Sequence, residues 1–339
     1  MTVQTLGQGF ESYRSWATDP IPRIPFGMDW FDRPTGGGLA RSEVAMMMAF
    51  SSVGKTTVAL NIIRNNPHIP TLLFSLEMNW RMVAARIAAM ELPSTTQSLE
   101  TRMKAGDHVD ELVRVQDKFR SFVCDDQPAI TLKQADESFE QATREMGTPP
   151  RLVIFDYLEL IGGGGLMGKS EQVDKASQKL RDWTRTHDCA TIVLHQVGKG
   201  EGGDVPLDLG SGRYGGFAPM DYVCGAYAPR LANGINQTEF DRVREEIWFQ
   251  LLKSRSGSSE PVGKKYRLDP STMRISPWHS IKAPALSTLH VPAPQLDIPA
   301  LSVDLPTLAE ARDELDAALD DLQPVGTKPD YYSDDEEPF

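Results

Sequence analysis

The run Ala49-Phe50-Ser51-Ser52-Val53-Gly54-Lys55-Thr56-Thr57 sits between an apolar stretch, EVAMMMAF, and a helical one, TTVALNIIR. Its residue types match the parts of a phosphate site. Backbone N–H groups at a helix N-terminus, aided by the helix dipole, attract anions. Gly54 lets the backbone approach closely, Lys55 reaches the outer phosphates, and the Thr56 hydroxyl suits Mg²⁺. Ala49 stands where the strict pattern has glycine. The chemistry implied is binding of a nucleotide with Mg²⁺.

Such a site needs a second metal-holding carboxylate at the end of another strand. Asp156, after the apolar run Leu152-Val153-Ile154-Phe155, supplies it. Glu77 closes a third run, TLLFSLEM, where a carboxylate can orient and deprotonate an attacking water. A first-turn glutamate favoured by the next helix's dipole is the plainer alternative. His195-Gln196 close a fourth run, TIVLHQ. Gln196 suits a γ-phosphate sensor, and His195 reads first as a hydrogen-bonded strand-end histidine.

The elements that must position these residues alternate, which is the pattern of an α/β fold with a mostly parallel sheet. Expected strands are Glu43–Ala49, Thr71–Ser75, Ser121–Cys124, Leu152–Phe155, Thr191–Leu194 and Tyr222–Tyr227, with Ile247–Lys253 and Lys265–Asp269 as an edge hairpin. Expected helices are Thr56–Asn65, Arg81–Met90, Leu132–Met146 and Glu171–His187. Residues 1–25 read as a polar arm, 26–278 as one ATPase domain, and 279–339 as a Pro- and acid-rich tail with one short helix at 305–322.

Composition narrows the class. The chain has 339 residues, 40% hydrophobic and 24% charged, with three widely spaced cysteines, Cys124, Cys189 and Cys224. That spacing excludes a zinc ribbon or disulfide framework and fits a reducing, cytoplasmic setting. No stretch approaches the roughly 18 apolar residues of a membrane span. The net charge is −12, but residues 296–339 hold 13 acidic and 2 basic residues, a net of −11. The body is therefore nearly neutral, and a local basic lining for nucleic acid stays open.

Taken in order, GMDWFDRPTGGGLARSEVAMMMAFSSVGKTTVALNII, FSLEM, DYLEL, HQ and KSRSG resemble the ATPase domain of DnaB-type hexameric replicative helicases. The resemblance implies a RecA-like P-loop fold with a mostly parallel central sheet flanked by helices. A stand-alone phage version is the form expected, in a host cytoplasm. Lys55 and Thr56 then resemble the family's phosphate-binding pair, Glu77 its catalytic glutamate, Asp156 its Walker B aspartate and Gln196 its sensor. Lys253 and Arg255 of KSRSG resemble the cations that reach the γ-phosphate of the neighbouring subunit, which implies a homo-oligomer, either a hexameric ring or a filament. Arg86 also matches a family arginine, with no role assigned. The expected DNA loops are the stretches 162–169, with Lys169, and 198–220, with Lys199, Arg213 and Tyr214. Only about 25 residues precede the core, whereas those helicases carry a primase-interacting domain there.

The last residues, Asp334-Asp335-Glu336-Glu337-Pro338-Phe339, resemble the acidic Pro-Phe tip of bacterial single-stranded-DNA-binding proteins, which implies docking to a replication or recombination protein. The expectation is an ATP- and Mg²⁺-dependent motor on single-stranded or forked DNA, with no membrane partner. Three rivals stay open. One is a recombination or annealing protein that uses ATP as an assembly switch. Another is a structure-specific nuclease using Asp204, Asp208 and Asp221, and the third is an adaptor that presents its tail.

Overall fold

The apolar strands form because their side chains are wanted on both faces. In the strand Val44–Ala49 every residue is buried. Ala45, Met47 and Ala49 enter one core layer, and Val44, Met46 and Met48 the other. This is the pattern of a sheet covered by helices on both sides. The computed structural model describes residues 5–107, 109–161, 169–198, 202–212, 215–255 and 257–278.

The strands in chain order are β1 (Arg23–Ile24), β2 (Leu39–Ala40), β3 (Val44–Ala49), β4 (Thr71–Ser75), β5 (Phe122–Asp125), β6 (Leu152–Asp156), β7 (Ala190–Gln196), β8 (Tyr222–Tyr227), β9 (Glu246–Ser254), β10 (Glu260–Leu268) and β11 (Ile275–Pro277). β1 and β2 form a separate antiparallel pair. Among the described residues nine strands make one sheet, in the order β11-β10-β9-β8-β3-β7-β6-β4-β5. The six strands from β8 to β5 in that order are mutually parallel, while β9, β10 and β11 add antiparallel edges. This is the mostly parallel sheet expected, with the hairpin at its edge.

The helices are α1 (Leu6–Ala17), α2 (Asp29–Asp32), α3 (Lys55–Asn65), α4 (Trp80–Glu91), α5 (Thr96–Lys104), α6 (Val109–Lys118), α7 (Leu132–Met146), α8 (Lys169–His187) and α9 (Gln237–Val243). α3 and α4 contribute Val58, Ile62, Val83 and Ile87 to one layer, and α7 and α8 contribute Phe139, Leu180 and Trp183 to the other. α7 starts where the sequence says it should, because Thr131 and Gln134 close a reciprocal capping box. The N-terminal arm carries a helix that the sequence reading does not assign. Within the polar arm, α1 is a capped helix with no buried residue, and Thr5 and Gln8 satisfy its first turn.

The described residues belong to one compact unit within residues 1–280. The expected helix at 305–322 and the Pro-Phe tip lie outside the described residues.

Candidate nucleotide site

Parallel strands bring their C-terminal ends to one edge, and ligands of open α/β sheets bind in the crevice there. Ala49 pairs with Gln196, and Ser75 with Asp156, so β3, β7, β4 and β6 end together. The phosphate loop leaves β3 at this edge. Ser52 and Gly54 have left-handed φ values of 69° and 115°, which turn the chain into α3. Ala49 departs from the strict pattern without strain, since it is still in extended strand and fully buried.

Lys55 is buried and donates from Nζ to the carbonyls of Ala49, at 3.0 Å, and Phe50, at 3.4 Å. Burial pushes its ammonium below the ordinary lysine range, while the charges of Asp156, Glu159 and Glu77 act the other way. Three carboxylates therefore face this one cation.

The Thr56 hydroxyl donates to Asp156 Oδ2 at 2.6 Å. Asp156 is 1% exposed, and its Oδ1 has no hydrogen-bond partner. Burial raises this carboxyl to about 6, although the Thr56 hydroxyl, Lys55 and Arg86 oppose the rise. A buried carboxylate oxygen left bare beside a hydroxyl is costly unless something binds it. The pair fits Mg²⁺, a hard cation that takes one or two protein oxygens and fills its shell with phosphate and water. Among the described residues no group of three or more His, Cys, Asp and Glu could hold a metal by itself. Of the three aspartates named for a nuclease, Asp208 accepts from Gly210 N and the Ser211 hydroxyl, and Asp221 pairs with Arg181 and Arg255.

Glu77 lies two residues past β4 and is exposed, and its charge reaches both Lys55 and Asp156. Arg86 on α4 also acts on Asp156, in the opposite sense to Glu77.

Glu159, three residues beyond Asp156, is a site residue that the sequence reading passes over. Its Oε1 accepts from the Gln196 backbone N–H at 3.2 Å and lies 3.2 Å from Nδ1 of the fully buried His195. One carboxylate thus ties the segment after β6 to the end of β7 and fixes where Gln196 begins. Its signal was present in DYLEL, but only tertiary pairing reveals the partner.

Arg230 was not legible either. It donates to the carbonyls of Ser52, at 3.3 Å, and Val53, at 2.9 Å, inside the phosphate loop. Beside it opens a cavity of about 400 Å³ lined by Thr57, Arg230, Phe240, Arg244, Leu268, Asp269, Pro270 and Met273. Apolar and aromatic walls with two guanidiniums, next to the phosphate loop, suit a planar nucleobase.

Lys253 and Arg255 lie elsewhere. Lys253 is in β9, and Arg255 follows its end. The Arg255 backbone N–H donates to Asp221 O, and the Asp221 N–H donates to Val44 O at the start of β3. The phosphate loop is at the other end of that strand, roughly 16 Å away at 3.3 Å per residue. Lys253 and Arg255 thus stand at the edge opposite their own phosphate loop. Of the residues expected at DNA, Lys169 opens α8, while Lys199, Arg213 and Tyr214 lie outside the described residues.

Residues 24–202, more than half of the chain, match the family described as the DnaB-like helicase C terminal domain. The chain belongs to that family. It carries the family's RecA-like P-loop ATPase core. It is similar to the replicative DNA helicase DnaB of Geobacillus stearothermophilus, 28% identical over 186 residues, covering 53% of this chain and 40% of that protein. It is equally similar to the replicative DNA helicase DnaC of Bacillus subtilis, 28% identical over 187 residues with the same coverage. With the replicative DNA helicase DnaB of Nostoc sp. it shares 28% over 185 residues, 53% of this chain and 21% of that protein. The chain thus spans between about a fifth and two fifths of these relatives' length.

Among solved structures, one isolated ATPase domain superposes with a TM-score of 0.69 at 18% identity, covering 82% of this chain and all of that one. A DnaB-like replicative helicase, solved in a study of its interactions with primase, gives 0.65 at 19% identity, covering 82% of this chain and 68% of that one. Both establish the fold.

Proposed function

We propose that this chain hydrolyses ATP with Mg²⁺ as a helicase-type motor on single-stranded or forked DNA. In this reading one nucleotide site is completed by two protomers. The observation that carries the reading is the Thr56–Asp156 pair, with its bare buried carboxylate oxygen, at a phosphate loop faced by Glu77 and Gln196.

The backbone N–H groups of the loop and Lys55 bind the phosphates. Thr56 and Asp156 hold Mg²⁺, which neutralises charge on the phosphoryl oxygens when bound. Glu77 accepts the proton of the attacking water and orients it in line. Glu159 fixes the start of Gln196, whose side chain reads the γ-phosphate. Phe240, Arg244 and Met273 receive the base.

Arg255 and Lys253 stabilise the transferring phosphoryl of the next protomer, and two observations support that assignment. They are cations on one rim of the sheet, and that rim is too far from their own phosphate loop for them to serve it. A closed ring or a filament of identical contacts places such a rim against the neighbour's crevice. The expected DNA contacts, Lys169, Lys199, Arg213 and Tyr214, belong to the same proposal, as does docking of a replication or recombination protein on the tip from Asp334 to Phe339. So do the bounds of the arm, ATPase domain and tail.

The test is steady-state ATP turnover beside equilibrium nucleotide binding. Lys55→Ala abolishes both turnover and tight binding. Arg255→Ala lowers turnover by about 10³–10⁵ and leaves binding within a few-fold, as expected of a cation supplied in trans. Turnover near the parental level in either variant contradicts the assignment.

A further inference from the structure

Arg255 is anchored rather than merely exposed. Its Nη1 donates to Asp221 Oδ1 at 2.8 Å, while its side chain remains 47% exposed. Asp221 is buried, and it has two further partners. Arg181 of α8 donates to the same oxygen at 3.3 Å, and the Val44 backbone N–H donates to Oδ2 at 2.9 Å. Arg181 also donates to the carbonyl of Pro219 at 2.6 Å. Lys253 rests on the same segment, with Nζ donating to the carbonyls of Phe217, at 3.3 Å, and Ala218, at 2.8 Å. Residues 217–221 therefore carry both cations.

The segment is itself fastened to α8. The Gly216 N–H donates to Asp174 Oδ1 at 2.8 Å. Gly216 has a φ of +86°, and a Cβ there would lie 2.8 Å from both Ser177 Oγ and Val173 Cγ1. Only glycine lets the backbone approach the helix so closely.

The logic of the arrangement is electrostatic. A buried carboxylate stripped of its last partner is strongly disfavoured. Asp221 has partners to spare. If Arg255 swings outward, Asp221 still holds Arg181 and the Val44 N–H, and no buried charge is orphaned. The carboxylate can therefore aim Arg255 in one position without trapping it.

We propose that Asp221, backed by Arg181, is the positioning residue for Arg255: it presents the guanidinium at the rim from which Arg255 reaches the neighbouring protomer's nucleotide. This rests on the reading of Arg255 given above, and the experiment separates the two. Asp221→Asn keeps the shape and removes the charge. In the full-length protein it lowers kcat for ATP by at least tenfold and leaves KM and nucleotide affinity within about twofold, since the phosphate loop lies at the other end of β3.

Mixed oligomers of co-expressed variants then locate the effect. Lys55→Ala and Arg255→Ala chains are each inactive alone. Together they form interfaces with one intact phosphate loop and one intact Arg255, and random assembly through heterologous contacts restores about a quarter of parental turnover. Adding Asp221→Asn to the Lys55→Ala chain, which supplies the arginine, abolishes that recovery. Adding it to the Arg255→Ala chain leaves the recovery in place, and this second mixture shows that the substituted chain folds and assembles.

No recovery in the starting mixture overturns the trans reading, and the proposal with it. Recovery that ignores Asp221→Asn in the arginine donor overturns the proposal alone. Equal loss whichever chain carries the substitution shows a general structural role and also overturns it.

Discussion

Replacing Asp156 by asparagine removes a charge that the fold buries at a cost. Burial raises the carboxyl from its ordinary 3.8 to about 6. At about 1.4 kcal/mol per pH unit, that rise corresponds to about 3 kcal/mol of destabilisation by the ionised form. The sign follows from proton counting. Between pH 3.8 and about 6 the folded chain binds more protons at this site than the unfolded chain, so the parent loses stability as pH rises through that window and is fully penalised above it. Asparagine never ionises and still offers Thr56 an acceptor oxygen. In chemical unfolding without nucleotide at pH 7.5, Asp156→Asn is therefore more stable than the parent by about 1–3 kcal/mol, the lower figure allowing for solvent reaching the site. The gap narrows as pH falls towards 4. With Mg²⁺ and ATP the variant's advantage shrinks by up to about 2.7 kcal/mol, because the parent gains that much from ligand at about a hundred times Kd and the variant has lost a metal ligand. A variant less stable than the parent at pH 7.5 without nucleotide, or one that gains as much from Mg²⁺-ATP as the parent does, refutes the assignment of Asp156.

Two further outcomes are expected. Glu77→Gln keeps the size of the side chain and removes its basicity, so kcat falls by about 10²–10⁴ while equilibrium ATP binding stays within a few-fold; a rate near the parental one removes Glu77 from the chemistry. Phe240→Ala opens one wall of the cavity beside the phosphate loop. It raises KM for ATP at least as much as it lowers kcat and leaves affinity for inorganic triphosphate unchanged; equal weakening of both ligands places the base elsewhere.

Much of this fold was legible because its strands and helices obey simple periods. Val44–Ala49, Leu152–Asp156 and Ala190–Gln196 are short apolar runs buried on both faces, and each ends in the residue the chemistry needs or leads directly to it. Leu132–Met146 was legible to the residue because its cap is written in Thr131 and Gln134. α1 was missed because Gly7 and Gly9 and the lack of any buried residue hide a helix that depends on its Thr5–Gln8 cap. α5 was passed over because its sequence is polar, with few apolar positions to mark a buried face; α6 carries Val109, Leu112 and Val113 at helical spacing and was legible but not assigned.

The phosphate loop, Asp156 and Glu77 are local to strand ends and could be read from sequence. Glu159 with His195, Arg230 on the loop carbonyls, and Arg181 with Asp221 could not, since each pairs residues at least 36 positions apart through the tertiary fold.

The central claim is that DNA and ATP act on one machine, and the most direct measurement is ATP turnover with and without single-stranded DNA across a salt series, with Lys55→Ala as the control. The account predicts turnover that requires Lys55 and is stimulated by DNA. The stimulation should weaken steeply between about 50 and 200 mM salt, because phosphate contacts release counterions. Turnover that DNA leaves unchanged at every salt concentration, or that survives loss of Lys55, contradicts it.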